Sequence, residues 1–232
     1  SIDTAGNTFV REHPQKVIII GNAPKIELVQ HNADQPLRFG QTLVVTMKLY
    51  QTDQNLQAIG SGYFQLGHQI DRYPLRNQNG LLRGSYTVKA TDDLSDVAVH
   101  VFYEPSNQPL VQITLPDKVT LDGIRPKPIV IKKVTDIAED DGYQLRVEWK
   151  TSTDPKIVGY NIYLNDRPIR VTDQPFIYNL GPELSQKTIQ VDQNGIPYYI
   201  AVTAVTQVGN ESEIDLGSLS KPTIAFDNLP PP

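Results

Sequence analysis

Over most of this 232-residue chain, apolar and polar residues alternate one for one. In "TLVVTMKLY" the residues Leu43, Val45, Met47 and Leu49 share one side; in "SYTVKA" Tyr86, Val88 and Ala90 oppose Ser85, Thr87 and Lys89. The same spacing runs through Val97, Val99, Val101 and Tyr103, then through Val111, Ile113 and Leu115. A period of two is the signature of a strand with one face in a core and one in water. No stretch of ten or more residues carries a helical stripe, and turn formers such as "RNQNG" and "SNQP" separate the alternating runs. The expected fold class is therefore all-β, with sheets packed on sheets.

Length and punctuation argue for two such bodies. In "LDGIRPKPIV", Gly123, Pro126 and Pro128 interrupt the pattern, and a proline cannot donate to a central ladder. Alternation then resumes through Leu145, Val147 and Trp149, through Val158, Tyr160, Ile162 and Leu164, and through Tyr198, Ile200, Val202 and Ala204. We expect an extended N-terminal arm or extra strand over 1–23, a β-sandwich over 24–124, a second over 125–222, and a proline-rich tail over 223–232.

The strings "LRVEWKTSTDPKIVGYNIYLND" and "YYIAVTAVTQVGNES" resemble a fibronectin type III domain, over about residues 127–222. The resemblance implies that Trp149 plugs the core between two sheets and that Tyr198 is a tyrosine-corner residue with its hydroxyl on nearby backbone. It implies nothing specific about activity. Residues 24–122, through "LRFGQTLVVTM", "GSGYFQLG", "IDRYPL" and "GLLRGSYTVKATDD", resemble immunoglobulin-like repeats of bacterial surface proteins, with Leu82 where those repeats place a tyrosine. The reading is thus of two tandem immunoglobulin-like and fibronectin type III-like β-sandwiches.

The chemistry visible in the sequence is sparse. The net charge is −5 and the 21 Lys and Arg are scattered, apart from Arg125, Lys127, Lys132 and Lys133, so no nucleic-acid partner is expected. Cysteine is absent, which removes disulfides, thiolate metal sites and cysteine nucleophiles. No apolar run approaches the ~20 residues of a membrane span. His13, His31, His68 and His100 stand apart with no metal spacing. Ser61 in "IGSGYF" lacks the strand-turn-helix context of a nucleophile elbow and reads as a hairpin or bulge. Asp92, Asp93 and Asp96, and Glu139, Asp140 and Asp141, sit in loops of a kind that collect calcium ligands, but neither group follows the D-x-D-x-D-G spacing. Asp-Gly in "EDDG" suits a hairpin turn, and "GNES", which makes Asn210 a formal glycosylation acceptor, suits another. Tyr50, Tyr63, Tyr73, Tyr163 and Tyr199 fall at outward-facing positions, where tyrosines sometimes build a sugar platform. No catalytic, cofactor or metal residues are expected, and no cofactor.

The remaining apolar material lies at the ends. Phe9, Val10, Val17, Ile18, Ile19 and Ile20 precede a first sandwich that already has a start at Lys25, and Ile224 and Phe226 follow the second. Such residues either add a first strand to their own sheet or add a strand to a neighbour's. The expectation is a non-catalytic, extracellular or cell-surface bacterial structural protein, its secretion signal removed, that self-associates into a fibre or adhesive assembly. The alternative is an accessory glycan-binding or spacer module, with a surface glycan or another surface protein as partner.

Overall fold

The computed structural model describes residues 10–12, 15–17, 26–49, 60–78, 81–105, 109–215, 217 and 221–227. The chain divides into two compact units, Ser1–Ile124 and Arg125–Pro232. Among the described residues every regular element is a strand, and no helix is long and apolar enough to cross a membrane.

The first unit opens with β1 (Val10–Glu12) and β2 (Gln15–Val17), an antiparallel pair with Val10 opposite Val17. There follow β3 (Ile26–His31), β4 (Leu37–Arg38), β5 (Thr42–Leu49), β6 (Gly60–Leu66), β7 (Tyr73–Gln78) and β8 (Leu81–Thr87). The last four are β9 (Asp93–Val97), β10 (Val99–Pro105), β11 (Val111–Thr114) and β12 (Val119–Asp122). Seven strands form one ladder in the order β11-β10-β6-β7-β8-β5-β3.

That ladder changes layers at β7. Tyr73, Pro74 and Leu75 pair with β6, whereas Arg76, Asn77 and Gln78 pair with β8, so the two halves of one strand serve two sheets. Gly84 of β8 makes the corner possible. A Cβ there would lie 2.8 Å from both Leu75 Cδ2 and the Pro74 carbonyl oxygen. Between the layers, Leu43, Val45 and Met47 share a core with Phe64, Val99, Val101 and Tyr103.

A small third sheet, β4-β12-β9, closes the side of this sandwich, with β12 parallel to β4 and antiparallel to β9. It also divides what alternation reads as one strand. Val97 ends β9 opposite Val119, and after Ala98 the chain pairs with β6 and β11 as β10. The period of two survives this change of partner, so the sequence gives no sign of it. Ala90 falls beyond β8 in a turn and is exposed, because the chain leaves the sheet after Val88.

The second unit holds β13 (Ile131–Asp136), β14 (Gln144–Trp149), β15 (Ile157–Asn165), β16 (Ile177–Leu180), β17 (Gln186–Gln190), β18 (Pro197–Thr206) and β19 (Thr223–Ile224). Sheets β13-β14-β17 and β16-β15-β18-β19 face each other, the three-on-four arrangement of a fibronectin type III-like sandwich. Trp149 has no exposed surface and packs against Tyr160 with ring centroids 5.6 Å apart. The Tyr198 hydroxyl accepts from the Gln193 N–H at 3.0 Å and donates to the Gln193 carbonyl at 3.1 Å. In β15, Val158 does not share the inward face with Tyr160 and Ile162. A register shift between Ile157 and Gly159 inserts it as an extra residue, which buries Ile157 and leaves Val158 48% exposed.

Two substitutions test this packing. Trp149→Ala is expected to lower stability by about 3–5 kcal/mol, read as urea unfolding by far-UV circular dichroism because the substitution removes the only tryptophan. Gly84→Ala is expected to cost about 1–3 kcal/mol; an unchanged urea midpoint would show that the corner at Pro74 yields freely.

Candidate functional site

The assembly residues named above do not all fall within the described structure. Phe9, Ile18, Ile19 and Ile20 lie outside the described residues, while Val10 and Val17 are partners in the β1–β2 hairpin. That hairpin is a two-stranded sheet of its own, with no ladder to the seven-stranded sheet among the described residues. A two-stranded hairpin is marginal in water by itself; here β2 also lies against β3, the edge strand of the seven-stranded sheet, without joining its ladder among the described residues. At the other end, Ile224 sits in β19 opposite Pro197, Ala225 is fully buried, and Phe226 is 52% exposed with its N–H donated to Asp136 Oδ1 at 3.1 Å. The tail through Asp227 is thus built into the second sandwich.

The outward tyrosines behave differently from the expectation. Tyr63 is only 9% exposed because Phe102, its cross-strand partner, stacks on it at 4.8 Å and 12°, and the Arg72 guanidinium lies over the ring at 4.5 Å. Both faces are taken, so Tyr63 offers no open platform. Tyr163 is 8% exposed, covered in a small cluster with Ile169 and Ala201. Tyr73 and Tyr199 are half-buried, and Tyr50 lies outside the described residues.

Tyr163 belongs to a polar network that alternation does not reveal. Asn161 and Thr203 are cross-strand partners on the outward side of β15 and β18, and Tyr163 is the next outward residue along β15. Asn161 Nδ2 at 3.0 Å, the Tyr163 hydroxyl at 2.8 Å and the Thr203 hydroxyl all donate to Glu211 Oε1. Glu211 is placed there by its bridge to Val205, just past the Gly209 turn. Arg125 then donates from Nε to the Glu211 carbonyl at 2.9 Å and from Nη1 to Glu213 at 3.1 Å. Burial, then the hydrogen bond and charge of Glu211, push the Tyr163 phenol above its ordinary value. The network holds the start of the second unit to its last hairpin. Its one sequence signal is a run of polar residues at outward positions of otherwise apolar strands.

A second ordered device is the loop after β15. Arg167 forms a two-pronged bond to Asp173, Nη1 to Oδ2 at 2.9 Å and Nη2 to Oδ1 at 2.8 Å, and the Arg170 N–H donates to the same carboxylate at 2.8 Å. The hydrogen bond from Arg167, then that from Arg170, holds the Asp173 carboxyl down at about 2. The loop presents a fully exposed Val171.

The other candidates resolve simply. Ser61 lies within β6, not in a turn; its hydroxyl donates to Glu104, and Gly60 beside it permits close approach, since a Cβ there would lie 2.6 Å from the Glu104 carbonyl. Asn210 is 2% exposed, so "GNES" is a turn whose asparagine is buried. Asp92 accepts from the Tyr86 hydroxyl and the Lys89 N–H, and Asp140 caps the Gly142 N–H, so both serve their own turns. Among the described residues no three His, Cys, Asp or Glu side chains gather where they could hold a metal ion. His100 bonds Thr114 at 2.8 Å, His31 lines a cleft of about 550 Å³, His68 is exposed, and His13 lies outside the described residues.

No family model matches the chain, and no curated protein matches it. Among solved structures it is similar to the chicken CNTN1 FN1-FN3 domains at 14% identity and a TM-score of 0.48, covering 86% of this chain and 66% of that one. It therefore spans just under two thirds of the length of that structure. It is also similar to the tandem Ig repeats of Dlar, at 14% identity and a TM-score of 0.26, covering 78% of this chain and 90% of that one. The sandwich assignment rests on strand order and register in the chain itself.

Glu211→Leu is expected to cost about 1–3 kcal/mol, because it leaves buried donors without an acceptor, whereas Glu211→Gln, which keeps one, is expected to cost less in the same urea titration. The pH dependence follows from the two shifted groups. The lowered Asp173 carboxyl stabilises the folded loop above the ordinary aspartate value of 3.8, and this is lost as pH falls through about 2. The raised Tyr163 phenol contributes fully below the ordinary value of 10.0 and is lost progressively as pH rises above it. Carboxyl NMR of the wild type should show Asp173 titrating near 2, and Arg167→Gln should return it toward 3.8.

Proposed function

We propose that this chain is a non-catalytic structural module of an extracellular or cell-surface assembly, joined to a neighbouring copy by β-strand addition of its N-terminal segment. The observation that carries the reading is the β1–β2 hairpin, which among the described residues is a two-stranded sheet with no ladder to the seven-stranded sheet. β2 lies against β3 but outside its ladder, and an added strand from a neighbour supplies further hydrogen bonds and cover to a hairpin of two strands. The adjoining "VIII", Val17 to Ile20, gives the segment apolar side chains to place in a neighbour's sheet. A contact between unlike surfaces of successive copies is heterologous, the kind that builds a ring or an open filament.

A spacer or glycan-binding role is the second reading, favoured by Phe176 just before the edge strand β16 and Tyr178 within it, 48% and 55% exposed. A glycan-array signal that Tyr178→Ala abolishes would establish it.

The strand-addition reading is tested by deleting residues 1–22 and following assembly by light scattering and electron microscopy. Loss of assembly with the circular dichroism of both sandwiches retained is the expected result. Assembly at the wild-type level would overturn it.

A further inference from the structure

The outward side of sheet β13-β14-β17 carries cations that its own unit does not pair. Leu145, Val147 and Trp149 face the core, so Arg146, Glu148 and Lys150 face out. Lys133 lies directly opposite Glu148, and the register shift between Ile131 and Lys133 sets Lys132 beside it as an extra exposed residue. On the far strand, Thr188 and Gln186 stand opposite Arg146 and Glu148 and add no charge to this side. None of the four cations is in an ion pair among the described residues. Glu148 is the one carboxylate among them on that side, so the face is positive on a chain of net charge −5.

The first unit carries the opposite feature. Its cleft of about 550 Å³ is lined by Asp34, Asp96 and Asp117, exposed and outside any ion pair among the described residues, with Lys118 as the one lysine or arginine. His31 in the wall has its ring occupied: Nδ1 accepts from the Ala33 N–H at 3.3 Å, which leaves Nε2 to donate to the Asp117 carbonyl at 3.0 Å. This bond fixes the turn that presents the carboxylates.

We propose that these two surfaces are the halves of one interface, with the basic sheet face of one copy seated on the acidic cleft of the next. Each chain offers one half on each unit, so the contact is heterologous and repeats head to tail. A basic face alone would suit any polyanion; a matched acidic cleft on the same chain supplies the occupant without a third molecule. Exposed charge pairs gain little singly and are screened beyond about 10 Å at ~0.1 M salt. The contact is therefore weak, sensitive to salt and effective only in repetition. The proposal rests on the self-association reading above and adds a surface to it.

The test uses the full chain in sedimentation velocity across a sodium chloride series. Reversing the basic face (Lys133→Glu with Arg146→Glu), or the cleft (Asp34→Lys with Asp117→Lys), is expected to raise the concentration needed for association about tenfold. The chain carrying all four substitutions has the signs matched again and is expected to recover, which loss of folding would not mimic. Association that ignores salt and both reversals, yet disappears on deleting 1–22, overturns the charged interface and leaves strand addition standing. A full chain that stays monomeric in every condition overturns both. Retention on a sulfated polysaccharide without salt-sensitive self-association also overturns the proposal and assigns the face to a polyanion.

Discussion

Each strand here has one apolar side, and that side leaves water only when the apolar side of another sheet covers it. In the second unit the covering is centred on Trp149, wedged against Tyr160 between a three-stranded and a four-stranded sheet. In the first unit Leu43, Val45 and Met47 meet Val99, Val101 and Tyr103. One strand of that unit, β7, also passes between the layers, within six residues. Pro74 and Gly84 belong to this passage: one cannot donate to a ladder, and the other leaves room for the bend.

Once the inward sides are committed to the core, the outward sides are free to carry specific interactions. The second unit uses one of them for the Glu211 network, in which a carboxylate gathers an amide and two hydroxyls and Arg125 clasps the same hairpin. Its buried donors make that network a fixed point rather than a flexible one. Among the described residues its opposite sheet carries cations outside any ion pair, and the first unit carries carboxylates outside any ion pair around a cleft.

Much of the fold is readable from alternation alone. Leu145, Val147 and Trp149 fall on one side in the sequence and all three are buried. Where the reading slips, the cause is a local break in pairing. Val158 turns outward because a bulge adds one residue, and Val97 belongs to a different sheet from Val99 because the chain changes partners at Ala98. Tyr63 and Tyr163 occupy outward positions as their spacing demands. They are nonetheless covered, Tyr63 by Arg72 and Phe102 and Tyr163 by Ile169. The surfaces were far less legible: Lys132 and Lys133 lie on β13 and Arg146 on β14, and only the pairing of those two strands sets them side by side on one face.

What the sequence by itself determined is the class of structure: a period of two, turn formers between the runs and no helical stripe leave sheets as the only way to bury this much apolar surface. What tertiary structure alone decided is which strands are neighbours, and hence which outward side chains meet. Register is fixed by pairings between residues far apart in the chain, such as Asn161 with Thr203, and those pairings depend on how whole sheets fit over a shared core. The period of two says which side of a strand faces water, but it carries no record of the strand that lies alongside.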